Sequence, residues 1–198
     1  MDTRTLGLYW RNHSGTQFLI GSAVFLLGIF VLKDSQLFLP SLTEYANTPL
    51  IGSLPMALGA LAGITVWSPI PDYDELVSTR AHTVRIIHPV AITIIAILVA
   101  FTTASIVFQS PQAGLIYSRL LLYWLGLAFI GTAQPIRQLG VLLPLAVFLL
   151  IAFNGYTQQG PRIFNPHHRT ITDPTAWTLA LTSITIGLTA IMTRLRRT

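Results

Sequence analysis

The sequence predicts an all-α, polytopic integral membrane protein whose single transmembrane domain, residues 1–198, crosses the membrane six times. Three observations support this prediction. Only 10% of the 198 residues are charged and 52% are hydrophobic, whereas a soluble domain carries about 25% charged residues. Six apolar stretches approach or reach the roughly 20 residues that a helix needs to cross a bilayer. Basic residues gather on alternate connections between these stretches.

Each apolar stretch is bounded by proline, glycine or charged residues. The stretches should be helices, because unpaired backbone groups are costly in lipid and because they lack the alternation of a transmembrane strand. The fourth and fifth are so close that they should form a hairpin, with one broken helix as the alternative. The predicted helices are Thr16–Leu32, Leu50–Trp67, Ile86–Phe108, Leu115–Gln134, Gln138–Asn154 and Thr175–Thr193.

The first predicted helix follows a tail that contains arginines and could therefore be a cleaved signal peptide. The residues after it, Lys33 to Gln36, contain no small-x-small cleavage site, so we interpret it as a retained anchor. Residues 1–15 mix apolar side chains such as Tyr9 and Trp10 with arginines. This mixture predicts an interfacial helix on the cytoplasmic face. A disordered tail anchored by Trp10 is the alternative.

The distribution of basic residues predicts that both termini are cytoplasmic, because Lys and Arg are retained on that side. The opposite set of connections carries only Lys33, Arg162 and Arg169, with Arg119 just inside the fourth helix. The set that includes the two termini carries eight arginines, at positions 4, 11, 80, 85, 137, 194, 196 and 197.

Small residues recur on two of the predicted helices. Gly52, Gly59 and Gly63 lie in the second helix, and alanines at positions 96, 100 and 104 lie in the third. Because small side chains let helix backbones approach closely in a membrane, we interpret both sets as helix-packing surfaces.

Ionisable groups are scarce inside the predicted helices, where transporters driven by ions and membrane enzymes usually carry them. No Asp or Glu falls in any of the six. Arg119 and Arg137 lie near helix ends, where we expect their side chains to snorkel to the headgroups. This pattern argues against a proton-coupled transporter and against a membrane protease with a buried Ser–His pair. The sequence also lacks a Walker motif.

The histidines offer little support for catalysis. His167 and His168 are adjacent in the connection Gly155–Pro174, where we expect a solvated outer loop and no metal site. That loop is long enough to fold back into the membrane, with Ile163 and Phe164 dipping into it. A small lipid-modifying enzyme, with His82, His88 or His167 near the interface, is a third functional alternative, although no acid–base or metal constellation accompanies these residues.

Charge is concentrated in the connection Ser68–Arg85, which the predicted orientation places in the cytoplasm. After two prolines, Asp72 or Asp74 can cap a short helix with acidic residues in its first turn and basic residues near its end, as the helix dipole favours. Leu76 and its neighbours give this helix an apolar side. Such a segment is suited to docking a soluble partner. A solvated loop without a partner is the alternative.

This order of features resembles the export-type permease subunits of ABC transporters. That family has six helices with both termini inside, an interfacial segment before the first helix, a cytoplasmic coupling helix between the second and third, and an outer segment before the sixth. The local likeness lies in Asp74-Glu75-Leu76-Val77-Ser78-Thr79-Arg80, where Arg80 replaces the usual proline. The stretch Asp173-Pro174-Thr175-Ala176-Trp177 is similar to small actinobacterial permeases.

The resemblance implies a non-enzymatic permease subunit in a bacterial cytoplasmic (inner) membrane. It would pair with a second copy or a related permease and with separate ATPase subunits that bind ATP, and would carry no cofactor itself. We expect an amphipathic or hydrophobic substrate and no nucleic-acid partner. A non-catalytic membrane scaffold within a larger complex is the alternative function. The residues expected to contact the ATPase are Asp74, Glu75, Leu76, Thr79 and Arg80.

Overall fold

The computed structural model describes residues 15–35, 38–39, 48–66, 79–136, 138–157, 160–167 and 170–197. This part of the chain is predominantly helical, as predicted. Its helices are α1 (Gly15–Leu32), α2 (Ser53–Ile64), α3 (Thr79–Val107), α4 (Pro111–Thr132), α5 (Leu139–Asn154) and α6 (Pro174–Arg197). A 3-10 turn, Leu50–Gly52, leads into α2.

Two pairs of short antiparallel strands lie in the connections between helices. Strand β1 (Phe38–Leu39) pairs with β2 (Thr48–Pro49) between α1 and α2. Strand β3 (Tyr156–Thr157) pairs with β4 (Gly160–Pro161) directly after α5. Each strand has two residues and lies in a connection, outside the apolar stretches, which are helical.

Four helices are long and apolar enough to cross a membrane by length and composition: α1, α3, α4 and α6. The other two apolar helices, Leu50–Ile64 and α5, are shorter. These findings support a membrane protein in which four of the six predicted helices are long and apolar enough to cross the membrane. Six crossings remain a prediction.

The largest difference from the predicted boundaries is the start of α3. This helix begins at Thr79, seven residues before the predicted Ile86, and runs for 29 residues. At 1.5 Å per residue it is about 43 Å long, which exceeds the roughly 30 Å of a bilayer core. The last part of the predicted connection 68–85 is therefore helical.

Successive helices run in opposite directions. Gly28 near the end of α1 lies against Leu54 at the start of α2. Gly131 near the end of α4 lies against the backbone of Leu139 at the start of α5, so α4 and α5 form the predicted hairpin. The start of α1 and the end of α6 consequently lie at one end of the bundle. We call the other end, which carries the described residues between α5 and α6, the loop end.

Helix α4 is the centre of the bundle. It packs against α2, α3, α5 and α6, and two thirds of its membrane-length window is buried. Its central side chains are fully enclosed, namely Leu121, Trp124, Leu125, Ala128 and Phe129. The apolar core therefore forms around this one helix.

The closest helix pair is α4 with α6, which run parallel. Gly126 of α4 lies against the backbone of Ser183 and Gly187 of α6. The hydroxyl of Ser183 donates a hydrogen bond of 2.8 Å to the backbone carbonyl of Tyr123. Small residues allow this approach because any larger side chain would hold the two backbones apart.

The small residues singled out in the sequence do form packing surfaces. Ala96, Ala100 and Ala104 of α3 have no exposed surface. Gly59 and Gly63 of α2 lie against α4, where a methyl group on either would meet α4 atoms at 3.0 Å or less. That interpretation of the sequence is confirmed.

The outer surface of the bundle suits a lipid environment. Helix α1 exposes large apolar side chains along its length, including Leu27, Phe30 and Val31. Helix α6 exposes four threonines whose hydroxyls donate to the carbonyl four residues earlier at 2.5–2.8 Å, at positions 178, 185, 189 and 193. Because the hydroxyls of these four threonines are paired within the helix, none of the four leaves a donor unsatisfied in lipid.

Substitution of Gly187 by alanine should destabilise the protein by about 1–3 kcal/mol. The added methyl group would lie 2.5 Å from the Gly126 carbonyl oxygen, and a backbone atom cannot move aside without separating α4 from α6. The measurement is the thermal or denaturant unfolding midpoint of purified protein in detergent.

Gly28→Ala is the matched control. There the added methyl would meet the end of the Leu54 side chain at 2.8 Å, which can rotate away. Equal unfolding midpoints for the two variants would contradict the proposed role of the α4–α6 contact.

Candidate functional site

The residues predicted to contact an ATPase are only partly within the described chain. Asp74, Glu75 and Leu76 lie outside the described residues, as does most of the predicted interfacial segment 1–15. Thr79 and Arg80 are the first two residues of α3. The structure thus leaves the coupling role of these five residues as a prediction.

A polar contact ties α2 to α3 next to the connection that contains the predicted site. The Thr65 hydroxyl lies 2.7 Å from the carbonyl of Ala62 and 3.1 Å from Nε2 of His88. Since a hydroxyl has one proton and it is donated to Ala62, we infer that His88 donates from Nε2 to the Thr65 oxygen. This bond joins the two helices on either side of residues 67–78.

Helix α3 contains a proline one residue after that histidine. Pro89 has no backbone N–H, so the helix loses one hydrogen bond to the preceding turn. The Thr93 hydroxyl donates to the carbonyl of Pro89 at 2.7 Å. Pro89 is therefore the weakest point of α3 and separates Thr79–His88 from the rest of the helix. The hydrogen bond from His88 to Thr65 anchors this first part to the end of α2.

At the loop end, Arg119 of α4 is buried with 1% of its surface exposed. It lies eight residues after the start of α4, about 12 Å along the helix. Its guanidinium donates to the Thr170 carbonyl at 2.7 Å and lies 5.9 Å from the ring centre of Trp177. The predicted snorkelling of Arg119 is wrong, because its charge points into the bundle and binds the backbone of the loop.

The chain entering α6 is fixed by several further bonds. Trp177 donates from its indole nitrogen to the Ile171 carbonyl at 2.7 Å. Asp173 accepts hydrogen bonds from the backbone of Thr175 at 2.8 Å and of Ala176 at 3.4 Å. Asp173 is therefore the N-cap of α6, followed by a proline at the first helical position.

A second arginine joins α6 to α4 at the opposite end of the bundle. Arg194 donates to the backbone carbonyls of Thr132 and, at 2.8 Å, of Gln134. These carbonyls belong to the end of α4 and have no partner within the helix. A positive charge is favoured at that position by the helix dipole. The α4–α6 pair is thus fastened at both ends by arginine.

Residues 155–157 and 160–167, the described part of the loop after α5, are joined by hydrogen bonds among themselves. The Gly155 carbonyl accepts from the backbone of Arg162 at 2.9 Å and from the side-chain amide of Asn165 at 3.0 Å. The Asn165 side-chain oxygen accepts from the His167 backbone at 2.9 Å. Asn165 is completely buried, and its two side-chain bonds define the conformation of the loop.

The loop inserts His167 into the bundle, where 3% of the residue is exposed. The expectation of a solvated loop is therefore wrong at His167. Its imidazole centre lies 5.9 Å from that of Trp124 in α4 and 6.0 Å from that of Phe148 in α5. Phe164 packs against the same cluster, whereas Ile163 has 74% of its surface exposed.

Among the described residues, no three His, Cys, Asp or Glu side chains are grouped so that they could hold a metal ion. The polar side chains buried toward the loop end include the Arg119 guanidinium, the Asn165 amide and the His167 imidazole. Their contacts are with backbone atoms and aromatic rings, such as the Thr170 carbonyl beside Arg119 and the Trp124 ring beside His167.

Sequence reasoning missed the buried roles of Arg119, Asn165 and His167. For Arg119 no sequence signal was available, because the predicted helix began at Leu115, four residues before it, whereas α4 begins at Pro111, eight residues before it. For the loop, a run with two glycines, two prolines and an asparagine after a short apolar helix is typical of a tight folded segment.

Replacement of Arg119 by alanine should lower the free energy of unfolding by about 2–4 kcal/mol, because it leaves a cavity and a loop carbonyl without its donor. The same replacement at Arg162, which is exposed on the same loop end, should cost much less. Denaturant titration of both variants in detergent measures the difference. Equal losses would show that the Arg119 contact is dispensable.

Comparisons with known proteins found no matching protein-family model, curated protein or solved structure. The likeness to ABC-type permeases consequently rests on the order of the predicted segments and on the short stretches from Asp74 to Arg80 and from Asp173 to Trp177.

Proposed function

We propose that the chain is the membrane-spanning permease subunit of an ABC-type transporter, driven by separate ATPase subunits. In this proposal all six helices cross a bacterial inner membrane and both termini are cytoplasmic. The alternating directions of the helices support this arrangement, because they bring the start of α1 and the end of α6 to one end of the bundle.

The observation that carries the proposal is the length of α3. This helix exceeds a bilayer core by about 13 Å, and its extra residues start at Thr79, inside the predicted coupling segment. If the core-spanning part is Ile86–Val107, the excess projects on the cytoplasmic side. A partner that moves the coupling segment would then act directly on the end of a transmembrane helix.

The contacts next to the projecting start of α3 would pass a movement of the coupling segment on to the helices. The bond between His88 and Thr65 at 3.1 Å joins the bases of α2 and α3. Pro89 provides the flexible point immediately beyond it. Movement of the segment before Thr79 would therefore pass through this bond to the end of α2 and, because Gly59 and Gly63 of α2 pack on α4, to α4 as well.

The chemistry of the helices favours an amphipathic or hydrophobic substrate. None of the six helices contains Asp or Glu, so the chain offers a cation no carboxylate within them. The Arg119 guanidinium binds the loop backbone. In the proposal, the substrate passes between this chain and a second copy or a related permease.

Reversal of charge at positions 74 and 75 (Asp74→Lys with Glu75→Lys) should reduce recovery of the ATPase subunit with the tagged chain, and substrate-stimulated ATP hydrolysis, at least tenfold. The reason is that the proposed docking helix would lose its acidic first turn. The measurements are co-purification from native membranes and ATPase assays on the recovered complex.

The control for this experiment is Asp34→Lys. Asp34 is exposed and makes only a 4.0 Å ion pair with Lys33 at the loop end, so its reversal should leave both measurements unchanged. A stable native complex without any nucleotide-hydrolysing subunit would instead identify the chain as a non-catalytic scaffold.

Single cysteines report the proposed orientation directly, because the chain has none of its own. Asp74→Cys should react with a membrane-impermeant maleimide only in inverted vesicles, and Ile163→Cys only in intact spheroplasts. The reverse labelling pattern, or labelling of both residues from one side, would exclude six crossings with cytoplasmic termini.

A further inference from the structure

We propose that α1, α2 and α5 form a lipid-facing surface, the short side, that binds phospholipids with shorter acyl chains than those around the rest of the bundle. The inference rests on the part of the proposed function in which α1 and α5 cross the membrane. It depends neither on an ATPase nor on a transported substrate.

The first observation is that the shorter helices adjoin one another. Helix α1 has 18 residues and α5 has 16, and the stretch Leu50–Ile64 is shorter than α1. Gly21 of α1 lies against Leu61 of α2, and Gly140 of α5 lies against Ile64 of α2. Helices α3, α4 and α6 have 22 residues or more. The bundle is thus shorter on one side than on the other.

The second observation is the distance between the polar ends of α1 and α5. Every exposed residue between Gln17 and Lys33 is apolar, and so is every exposed residue between Gln138 and Asn154. The two residues of each pair are sixteen positions apart, which is about 24 Å along a helix. A bilayer core of about 30 Å is thicker than this. A helix that is too long can tilt, but one that is too short must thin the bilayer around it or bury its polar ends.

The third observation is that the two apolar spans lie at the same height in the bundle. The residues of α2 that α1 and α5 contact, Leu61 and Ile64, are three positions apart. Because α1 and α2 run in opposite directions, this spacing places Gln17 and Gln138 at heights that differ by about 2 Å. The other polar ends, sixteen positions further along each helix, are level to the same extent. Two separate helices therefore define one narrow apolar belt.

The side chains at the loop end of this belt do not extend it. Asn154 has a short side chain. Lys33 folds back over the last turn of α1, where its ammonium nitrogen lies 5.1 Å from the ring centre of Phe30. A lysine surrounded by hydrocarbon would instead extend toward the headgroups. The conformation of Lys33 is consistent with headgroups at the level of the end of α1, and short acyl chains would place them there.

Single cysteines allow lipid binding to be measured on each side of the bundle, because the chain has none of its own. Leu27→Cys reports on α1, and Leu98→Cys on α3 is the matched control; both leucines are more than half exposed. Each variant is labelled with a bimane fluorophore and reconstituted in brominated dioleoyl phosphatidylcholine, which quenches a fluorophore in contact with it. Unbrominated test lipids compete for that contact and restore the fluorescence.

At Leu27→Cys, dimyristoleoyl phosphatidylcholine should displace the brominated lipid at least threefold more effectively than dierucoyl phosphatidylcholine, because its shorter chains match the belt. Leu98→Cys should show no such preference, since the longer helix α3 can tilt to fit either bilayer. Equal displacement by the two lipids at Leu27→Cys, or the same preference at both positions, would overturn the proposal.

A second measurement follows the polar ends of α5. Gln138→Cys and Asn154→Cys should react with a membrane-impermeant maleimide from opposite sides of a dimyristoleoyl phosphatidylcholine bilayer. In dierucoyl phosphatidylcholine, at least one of the two should react at least fivefold more slowly, because hydrocarbon then covers it. Gln112→Cys, exposed at the loop end of the longer helix α4, should keep its rate.

The outcomes separate this inference from the proposed function. Reaction of Gln138→Cys and Asn154→Cys from one side would overturn the crossing of α5, and the inference with it. Reaction from opposite sides at rates independent of chain length would overturn the inference alone, because the loop that carries Ile163 would then complete the apolar width. Failure of the ATPase co-purification would leave both lipid measurements unaffected.

Discussion

The close approach of α4 to α6 is the constraint on which the rest of the structure depends. Because Gly126, Ser183 and Gly187 bring the two backbones together, α4 is enclosed and its aromatic residues form the core. The same approach places Arg119 within reach of the loop before α6 and Arg194 within reach of the end of α4. Arg119 thereby binds a backbone carbonyl of the loop before α6, and Arg194 binds carbonyls at and just after the end of α4.

The membrane-like pattern of the chain was predictable because apolar length and charge bias are properties of the sequence itself. The ends of the helices were harder to predict from the sequence. The projection of α3 before Ile86 was missed because its polar residues, such as Thr79 and His82, give no apolar signal. Arg119 and His167 were placed wrongly because burial of a polar group depends on partners far along the chain. Thr170 is 51 residues from Arg119, and no local pattern reveals that contact.

Two short helices explain why a polar loop can enter an apolar bundle at all. Helices α4 and α5 are level at the end opposite the loop, where Gly131 lies against Leu139. Since α4 has 22 residues and α5 has 16, α5 stops about 9 Å short of α4 at the loop end. The stretch Leu50–Ile64 is also shorter than the four long helices, and its first turn contains Gly52. The loop after α5 reaches this region, where its His167 lies beside Gly52 and beside Trp124 of α4.

The room left by these two short helices has to be filled, because an unfilled space would forfeit the packing contacts of the residues around it. The loop fills it with Asn165 and His167, and the backbone bonds of Asn165 supply the pairing that burial demands. An apolar side chain would have filled the same volume without those polar groups. The imidazole instead brings a titratable, heteroaromatic ring against two aromatic ones. Packing accounts for the volume of that side chain, and its two aromatic partners account for its flat shape, because rings whose centres lie about 6 Å apart attract one another.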